Sequence, residues 1–377
     1  MTFNIRIKTC ITWVAFMLIA LIFIGCNNAK DNSLKKYDRF LFRVFEKGHF
    51  NGNVLVIKNG EPVYQGAFGT SNLDSVDSLQ LSSVFRLASV SKQFTAMGIM
   101  LLKDAGELSY DQDIKYYIPK LPYEGISIRH LLNHVSGLPD YVNLMDHSWK
   151  PELKYNDPER LISGNDDIIN SLVEEKPDIL FPAGERFEYS NTGYVLLATI
   201  IERVSGLPFG QFLNERVFTP TGMESTLVYD YIPGPDPSMP FKVFGYVTDK
   251  ESEDRYSLDA HYLNGAQGDG GIYSTVQDLA RWDRILYTDE LVKRETLEEA
   301  FMPARLNNGE FTNYGFGWFF GESPTHRKVV EHGGGWVGFR TYIYREIEEN
   351  NCIILLSNNS CEIMPMMLKV LKKILHN

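Results

Sequence analysis

Apolar residues recur along this chain with two different periods, and the changes of period divide it into parts. Leu34, Tyr37, Leu41, Val44 and Phe45 carry the spacing of a helix with one buried face. Alternation over Val54–Ile57 and Val63–Phe68, joined through Asn59-Gly60, predicts a β-hairpin, because Asn-Gly supplies the left-handed residues of a tight turn. In FRLASVSKQFTAMGIMLL, residues 85–102, the helical period returns: Val90, Phe94, Met97 and Leu101 mark one face and Gly106 a stop. From there to about residue 260 the chain reads as helical segments between loops containing Pro and Gly. One of these helices follows Tyr189-Ser190-Asn191, runs to Val204 and ends at Ser205-Gly206. Strand-like runs come back at Tyr314–Phe320, Lys328–Glu331, Phe339–Glu346 and Asn351–Leu356, ahead of an apolar helix at Met364–Leu375. Strands, then helices, then strands predict one sheet interrupted by a helical insertion, with a ligand cleft between the two parts.

The first residues fit neither pattern. Arg6 and Lys8 precede the apolar stretch Trp13–Ile24, which ends at Gly25-Cys26 and turns polar. That stretch is shorter than the roughly 20 residues of a bilayer span and fits the core of a signal peptide. A small residue before Cys resembles the lipobox of bacterial lipoproteins. Residues 1–25 would then be a signal peptide and Cys26 the lipidated first residue of the mature chain, with Phe23 standing where Leu is usual. An ordinary signal peptide or a short uncleaved anchor is the alternative, and each of them places the domain outside the cytoplasm. Cys10 also belongs to this leader, which leaves Cys352 and Cys361 as expected free thiols rather than a disulfide framework. The 377 residues are 44% hydrophobic and 23% charged, ample for a large core. A net charge of -11 argues against nucleic acid as a partner, since phosphate contacts need a basic face.

Chemistry enters at Ser89. A serine hydroxyl is a poor nucleophile until a neighbour takes its proton, and a lysine three residues on along a helix stands on the same face. Ser89 and Lys92 have that spacing, as do Ser33 and Lys36, so spacing alone does not separate a nucleophile from a helix cap with a solvated lysine.

Company separates them. FRLASVSKQFTA, IRHLLNHVSGLPDY, FPAGERFEYSNTGYVLLATIIERVSG, GDGGIYSTVQDLARW and EHGGGWVGFRT resemble, in this order, the motif blocks of the serine β-lactamase-like hydrolases. That family includes class C β-lactamases, D-alanyl-D-alanine carboxypeptidases, D-aminopeptidases and some esterases. The resemblance implies an α/β (α+β) fold of the β-lactamase/transpeptidase type: an antiparallel β-sheet flanked by N- and C-terminal helices, with an inserted all-helical domain. The sheet part would comprise about 33–88 and 265–377, and the insertion about 89–264. It also implies S-x-x-K at Ser89 and Lys92, Y-x-N at Tyr189 and Asn191, and [KH]-x-G at His332 and Gly334. Tyr141-Val142-Asn143 and Tyr262-Leu263-Asn264 match Y-x-N as well, but without the flanking pattern of Tyr189, and Lys58-Asn59-Gly60 matches K-x-G but precedes the serine and reads as the hairpin turn.

On this resemblance Ser89 attacks a carbonyl, Lys92 or Tyr189 accepts its proton, and Asn191 orients Lys92 and a substrate amide. The oxyanion lies between the N–H groups of Ser89 and Gly335. Gly333, Gly334 and Trp336 line the substrate's place, and no cofactor or metal is implied. His332 and Gly333 depart from the Lys-Thr-Gly of class C β-lactamases. A histidine is only partly charged near neutral pH, which favours the carboxypeptidase, D-aminopeptidase and esterase branches over an efficient β-lactamase. Expected partners are a small-molecule or peptide substrate, peptidoglycan-derived peptides among them, and the membrane through Cys26, in the bacterial cell envelope.

Other patterns carry less. His130 and His134 are four apart, as metal ligands on a helix are, but lack an H-E-x-x-H context and a third ligand. Gly268-Asp269-Gly270-Gly271 lacks the G-K-[ST] ending of a phosphate loop. Ser274-Thr275-Val276-Gln277 reads as a capping box opening a helix over Leu279–Leu286. Asp166-Asp167 and Glu174-Glu175 read as solvated, and Trp318 is as well suited to a core strand as to a cleft.

Overall fold

In the computed structural model the described residues are 33–72, 77–148, 162–230, 239–248, 255–257 and 261–377. The signal-peptide reading and Cys26 lie outside them. The elements in chain order are α1 (33–46), β1 (Gly52–Lys58), β2 (Glu61–Phe68), β3 (Phe85–Arg86), α2 (Lys92–Asp104), α3 (Ile128–Leu132), α4 (Tyr141–Ser148), α5 (Asn165–Glu175), α6 (Asn191–Ser205) and α7 (Phe209–Leu213). There follow β4 (Leu227–Val228), β5 (Tyr246–Thr248), β6 (Arg255–Ser257), β7 (Ile272–Ser274), α8 (Val276–Ile285), α9 (Arg294–Ala300), β8 (Phe319–Glu322), β9 (Lys328–Trp336), β10 (Phe339–Glu346), β11 (Asn351–Ser357) and α10 (Met364–Leu375).

The main sheet has six antiparallel strands in the order β2-β1-β11-β10-β9-β8, so the first strands of the chain pair with the last. Helices cover both of its faces. Val54, Val56, Ile353 and Leu355 pack with Tyr37 and Leu41 of α1 and with Met367 and Leu371 of α10. Leu55, Ile57, Ile354 and Leu356 point the other way, into a core shared with Phe94, Met97, Leu279 and Trp282. A strand covered on both faces needs apolar residues at every position, which is why β1 reads Val-Leu-Val-Ile. That second core also takes in Leu131, Leu196 and Ile200, so one continuous apolar interior joins the sheet to the insertion.

Three expectations are corrected. The run Tyr314–Phe320 is not one strand: the chain turns, with the Gly315 N–H bonded to the Trp318 carbonyl and Gly317 at φ 81°, and only Phe319–Glu322 joins the sheet. The insertion is not all-helical. It supplies β4 to a small sheet of order β3-β7-β4 and forms the β5–β6 hairpin. The helix predicted from Leu279 begins at Val276 with Thr275 as its cap; the Thr275 hydroxyl accepts from the Asp278 N–H, one residue on from the box read in the sequence.

The run predicted at Lys328–Glu331 continues through His332 to Trp336, so the glycine cluster is strand rather than loop. Its bareness has a steric cause. β9 lies against the turn that carries Ser89, and a Cβ on Gly334 would run into the Leu87 carbonyl oxygen and Thr341 Oγ1. Those two atoms are themselves hydrogen-bonded at 2.6 Å, fastening the turn to β10. Gly334→Ala is therefore expected to lower stability by about 2 kcal/mol or more through overpacking. An unchanged thermal midpoint by circular dichroism would refute this.

Candidate active site

Leu87 to Lys92 form the floor of the site. The Leu87 N–H donates to the Ile272 carbonyl, Ala88 takes φ 49°, and Ala88–Ser91 make a 3₁₀ turn before α2 begins at Lys92. A non-glycine residue in the left-handed region costs about 1–3 kcal/mol and persists only where its surroundings hold it. Ser89 is thus not a helix cap; the position before α2 is Ser91, whose hydroxyl accepts from the Ile272 N–H.

Lys92, which the simpler reading makes a surface residue, is fully buried. Its Nζ donates to Asn191 Oδ1 at 2.8 Å, to the Asp269 carbonyl at 2.9 Å and to Ser89 Oγ at 3.2 Å. Three acceptors match the three protons of an ammonium. Loss of one proton would turn a lone pair toward Ser89, the arrangement a base needs.

Tyr189, Ser190 and Asn191 enter α6 beside Lys92. Asp140 Oδ2 accepts both the backbone N–H and the side-chain Nδ2 of Asn191, each at 2.9 Å, which leaves Asn191 Oδ1 facing Lys92. The Tyr189 ring centroid is 4.9 Å from Lys92 Nζ, and the phenol hydroxyl is buried with no hydrogen-bond partner among the described residues. His134 stacks on one side of that ring at 4.1 Å, and the Phe319 ring lies parallel to it at 6.2 Å.

His332 is placed differently from expectation. It is buried behind the cavity wall, with Nδ1 2.7 Å from the Gly333 carbonyl and Nε2 3.0 Å from the Tyr314 hydroxyl. A carbonyl only accepts, so Nδ1 carries the proton and Nε2 accepts from Tyr314. Burial, followed by the charge of Lys92, pushes its pKa down to about 3. His332 is therefore a neutral strut rather than the partly charged group anticipated. Gly333 lies under the Tyr342 ring and Gly334 against Leu87, while Gly335 and Trp336 reach the cavity. Trp336 Nε1 donates to Asn264 Oδ1 at 2.8 Å.

The cavity holds about 510 Å³. Ser89, Tyr189, Asn191, Gly335 and Trp336 line it together, with Leu138, Val142, Leu180 and Leu263 as its apolar share. Trp318 is in the core instead. Several lining residues had no role assigned from sequence: Asp140, Tyr141, Arg86 and Asp269. The Tyr141 hydroxyl donates to Asp269 Oδ2 at 3.0 Å, and burial raises the pKa of both. The glycine cluster around Asp269 serves Lys92 and α2 through its carbonyls, the Gly268 oxygen accepting from Thr95 Oγ1. His130 and His134 do not share a helix face. His130 Nδ1 accepts from the Ser127 N–H within the cap of α3, whereas His134 lies beyond its end at φ 55°.

A neutral buried histidine has a consequence for pH. Between the ordinary histidine pKa of 6.5 and about 3, an unfolded chain takes up a proton that folded His332 refuses. Stability is present above the first value and is lost as pH falls, at up to roughly 1.4 kcal/mol per pH unit. The thermal midpoint is expected to drop between about pH 7 and about pH 5, and His332→Asn to flatten the slope. A midpoint indifferent to pH over that range would count against the assignment.

A family model described as Beta-lactamase matches residues 39–365. Penicillin-binding protein 4* of Bacillus subtilis (strain 168) is 40% identical over 336 residues, covering 87% of this chain and 72% of that protein. D-aminopeptidase of Gluconobacter oxydans (strain 621H) is 26% identical over 318 residues, 82% of this chain and 55% of its own length. The crystal structure of a penicillin binding protein from Bacillus halodurans superposes with TM-score 0.74 at 24% identity, over 88% of this chain and 98% of that one, a likeness of fold.

Proposed function

The chain belongs to the beta-lactamase family, a family of serine hydrolases, and from that premise we propose that it cleaves amides or esters through an acyl-enzyme on Ser89. The observation that carries this reading is Lys92 Nζ, buried and 3.2 Å from Ser89 Oγ at the floor of the cavity. Lys92 in its neutral form takes the Ser89 proton as Oγ bonds to the carbonyl carbon. The carbonyl electrons move onto oxygen, facing the N–H groups of Ser89 and Gly335. The leaving amine or alcohol departs with the proton, completing the acyl-enzyme. Water then attacks the acyl carbon and gives one proton to neutral Lys92, which passes it to Ser89 Oγ as the ester C–O bond breaks and the acid product leaves.

Substrates with a D-amino-acid residue next to the scissile bond, or related small amides and esters, are the class we favour. Penicillin-binding and D-aminopeptidase relatives support it. The alternative of a true β-lactamase is disfavoured by a β9 on which the family's lysine is replaced by a buried neutral histidine. A sensor that merely keeps the fold is disfavoured by an intact Ser89, Lys92, Tyr189 and Asn191.

Full-length protein exposed to a fluorophosphonate or a labelled penicillin is expected to gain one adduct by intact mass, absent in Ser89→Ala. Lys92→Met is expected to slow acylation by about 10²–10⁴-fold, the usual worth of a proton-accepting group. No adduct with any acylating probe would sink the enzyme reading.

We also propose that the protein is held at the envelope by a lipid on Cys26. In cells fed labelled palmitate, Cys26→Ser is expected to lose the label and leave the membrane fraction. A variant that keeps both would exclude the anchor.

A further inference from the structure

The cavity accounts for Ser89, Lys92 and Asn191, yet it leaves unexplained a residue that spends stability in two ways. His134 is fully buried with its backbone at φ 55°, a conformation costing about 1–3 kcal/mol outside glycine. Its Nδ1 accepts from the Ser190 N–H at 3.2 Å, so the proton of the neutral ring sits on Nε2. That nitrogen is buried with no partner among the described residues, a desolvation cost of about 1–3 kcal/mol. Both costs, one of backbone and one of side chain, fall at one residue, and that residue packs against a neighbour.

That neighbour is the segment bearing Tyr189. The His134 carbonyl accepts from the Glu188 N–H at 2.9 Å, and its ring nitrogen accepts from the Ser190 N–H. Its imidazole stacks on the phenol between them at 4.1 Å with 29° between planes. Residues 188, 189 and 190 are each held by His134, while Asp140, six residues on, holds Asn191. The Tyr189 hydroxyl has no hydrogen-bond partner among the described residues, so the phenol is held through its ring: His134 stacks on it, Lys92 Nζ lies over it at 4.9 Å and Phe319 runs parallel to it at 6.2 Å. Burial, with Lys92 and His332 close by, keeps the imidazole neutral and Nδ1 an acceptor.

We propose that His134 is a positioning residue that fixes the Tyr189 phenol, and with it the start of α6, against Lys92 and Ser89. It acts by two separable contacts, a hydrogen bond to the Ser190 backbone and a stack on the Tyr189 ring, and touches no substrate. The proposal rests on the Ser89 acyl-enzyme reading.

Three variants separate the contacts in the full-length protein. His134→Phe keeps a ring and loses the acceptor. His134→Asn keeps an acceptor near Ser190 and suits left-handed backbone, so it folds even if the others do not. His134→Ala loses both. Labelling with a fluorophosphonate counts competent serines, and turnover of a p-nitrophenyl ester gives kcat and KM per labelled serine. We expect kcat of His134→Ala to fall about 100-fold, the effect of a displacement near 1 Å, with KM little changed. His134→Asn and His134→Phe should each recover about tenfold of that loss. Per-serine kcat within about threefold of wild type in all three variants overturns the proposal. So does an equal loss in all three that only follows their thermal midpoints. A wild type that takes no label sinks the Ser89 reading and this proposal together; a labelled wild type with unaffected variants sinks only the role of His134.

Discussion

One buried ammonium group organises this molecule. Taking an amine out of water costs several kcal/mol unless each of its protons meets an acceptor. Lys92 finds its acceptors on three separate stretches of chain: the turn after β3, the first residue of α6, and the glycine cluster before β7. None can drift away without stranding a charge in the interior. The requirement to satisfy Lys92 is thus also a requirement that Ser89 and Asn191 stand together. Asp140 and Asp269 extend the constraint outward, the first by gripping Asn191 and the second by holding Tyr141.

The turn that carries Ser89 is fastened to the sheet rather than hinged on it. Thr341 of β10 bonds the Leu87 carbonyl, Ile272 bonds Leu87 and Ser91, and the apolar interior runs on into the insertion without a break. Any opening wide enough to part β9 from the turn would break these bonds. Access to Ser89 is set by the wall residues instead, from Leu138 and Leu180 on one part to Trp336 on the other.

How far the sequence reached follows from what each period encodes. The helix faces of α2, α6 and α10 and the strands β10 and β11 were legible because burial imposes a regular spacing on them. Ser89 could not be told from Ser33 by its own tetrapeptide, and its reading as a nucleophile needed downstream blocks in order. What escaped was set by tertiary packing. Nothing local in His332-Gly333-Gly334 tells that the histidine faces Tyr314 and not a ligand. The break at Gly315–Gly317 hides inside an apolar, aromatic run that reads as a strand. Asp140 and Asp269 carry no local signal of their roles, since the atoms that need them lie far along the chain.

The pairing of β1 with β11 has a bearing on how such a molecule is made. Asn51 beside β1 and Asn358 beside β11 hydrogen-bond across 307 residues of sequence. Contacts so distant form late, because the loop between them must close first. While the chain is being synthesised, the β1–β2 hairpin waits for a partner not yet delivered. The wall formed by Gly335 and Trp336 is likewise missing until nearly the whole chain has emerged. A chain not yet fully made has Ser89 but no pocket around it, so the cavity exists only once the last strands are in place.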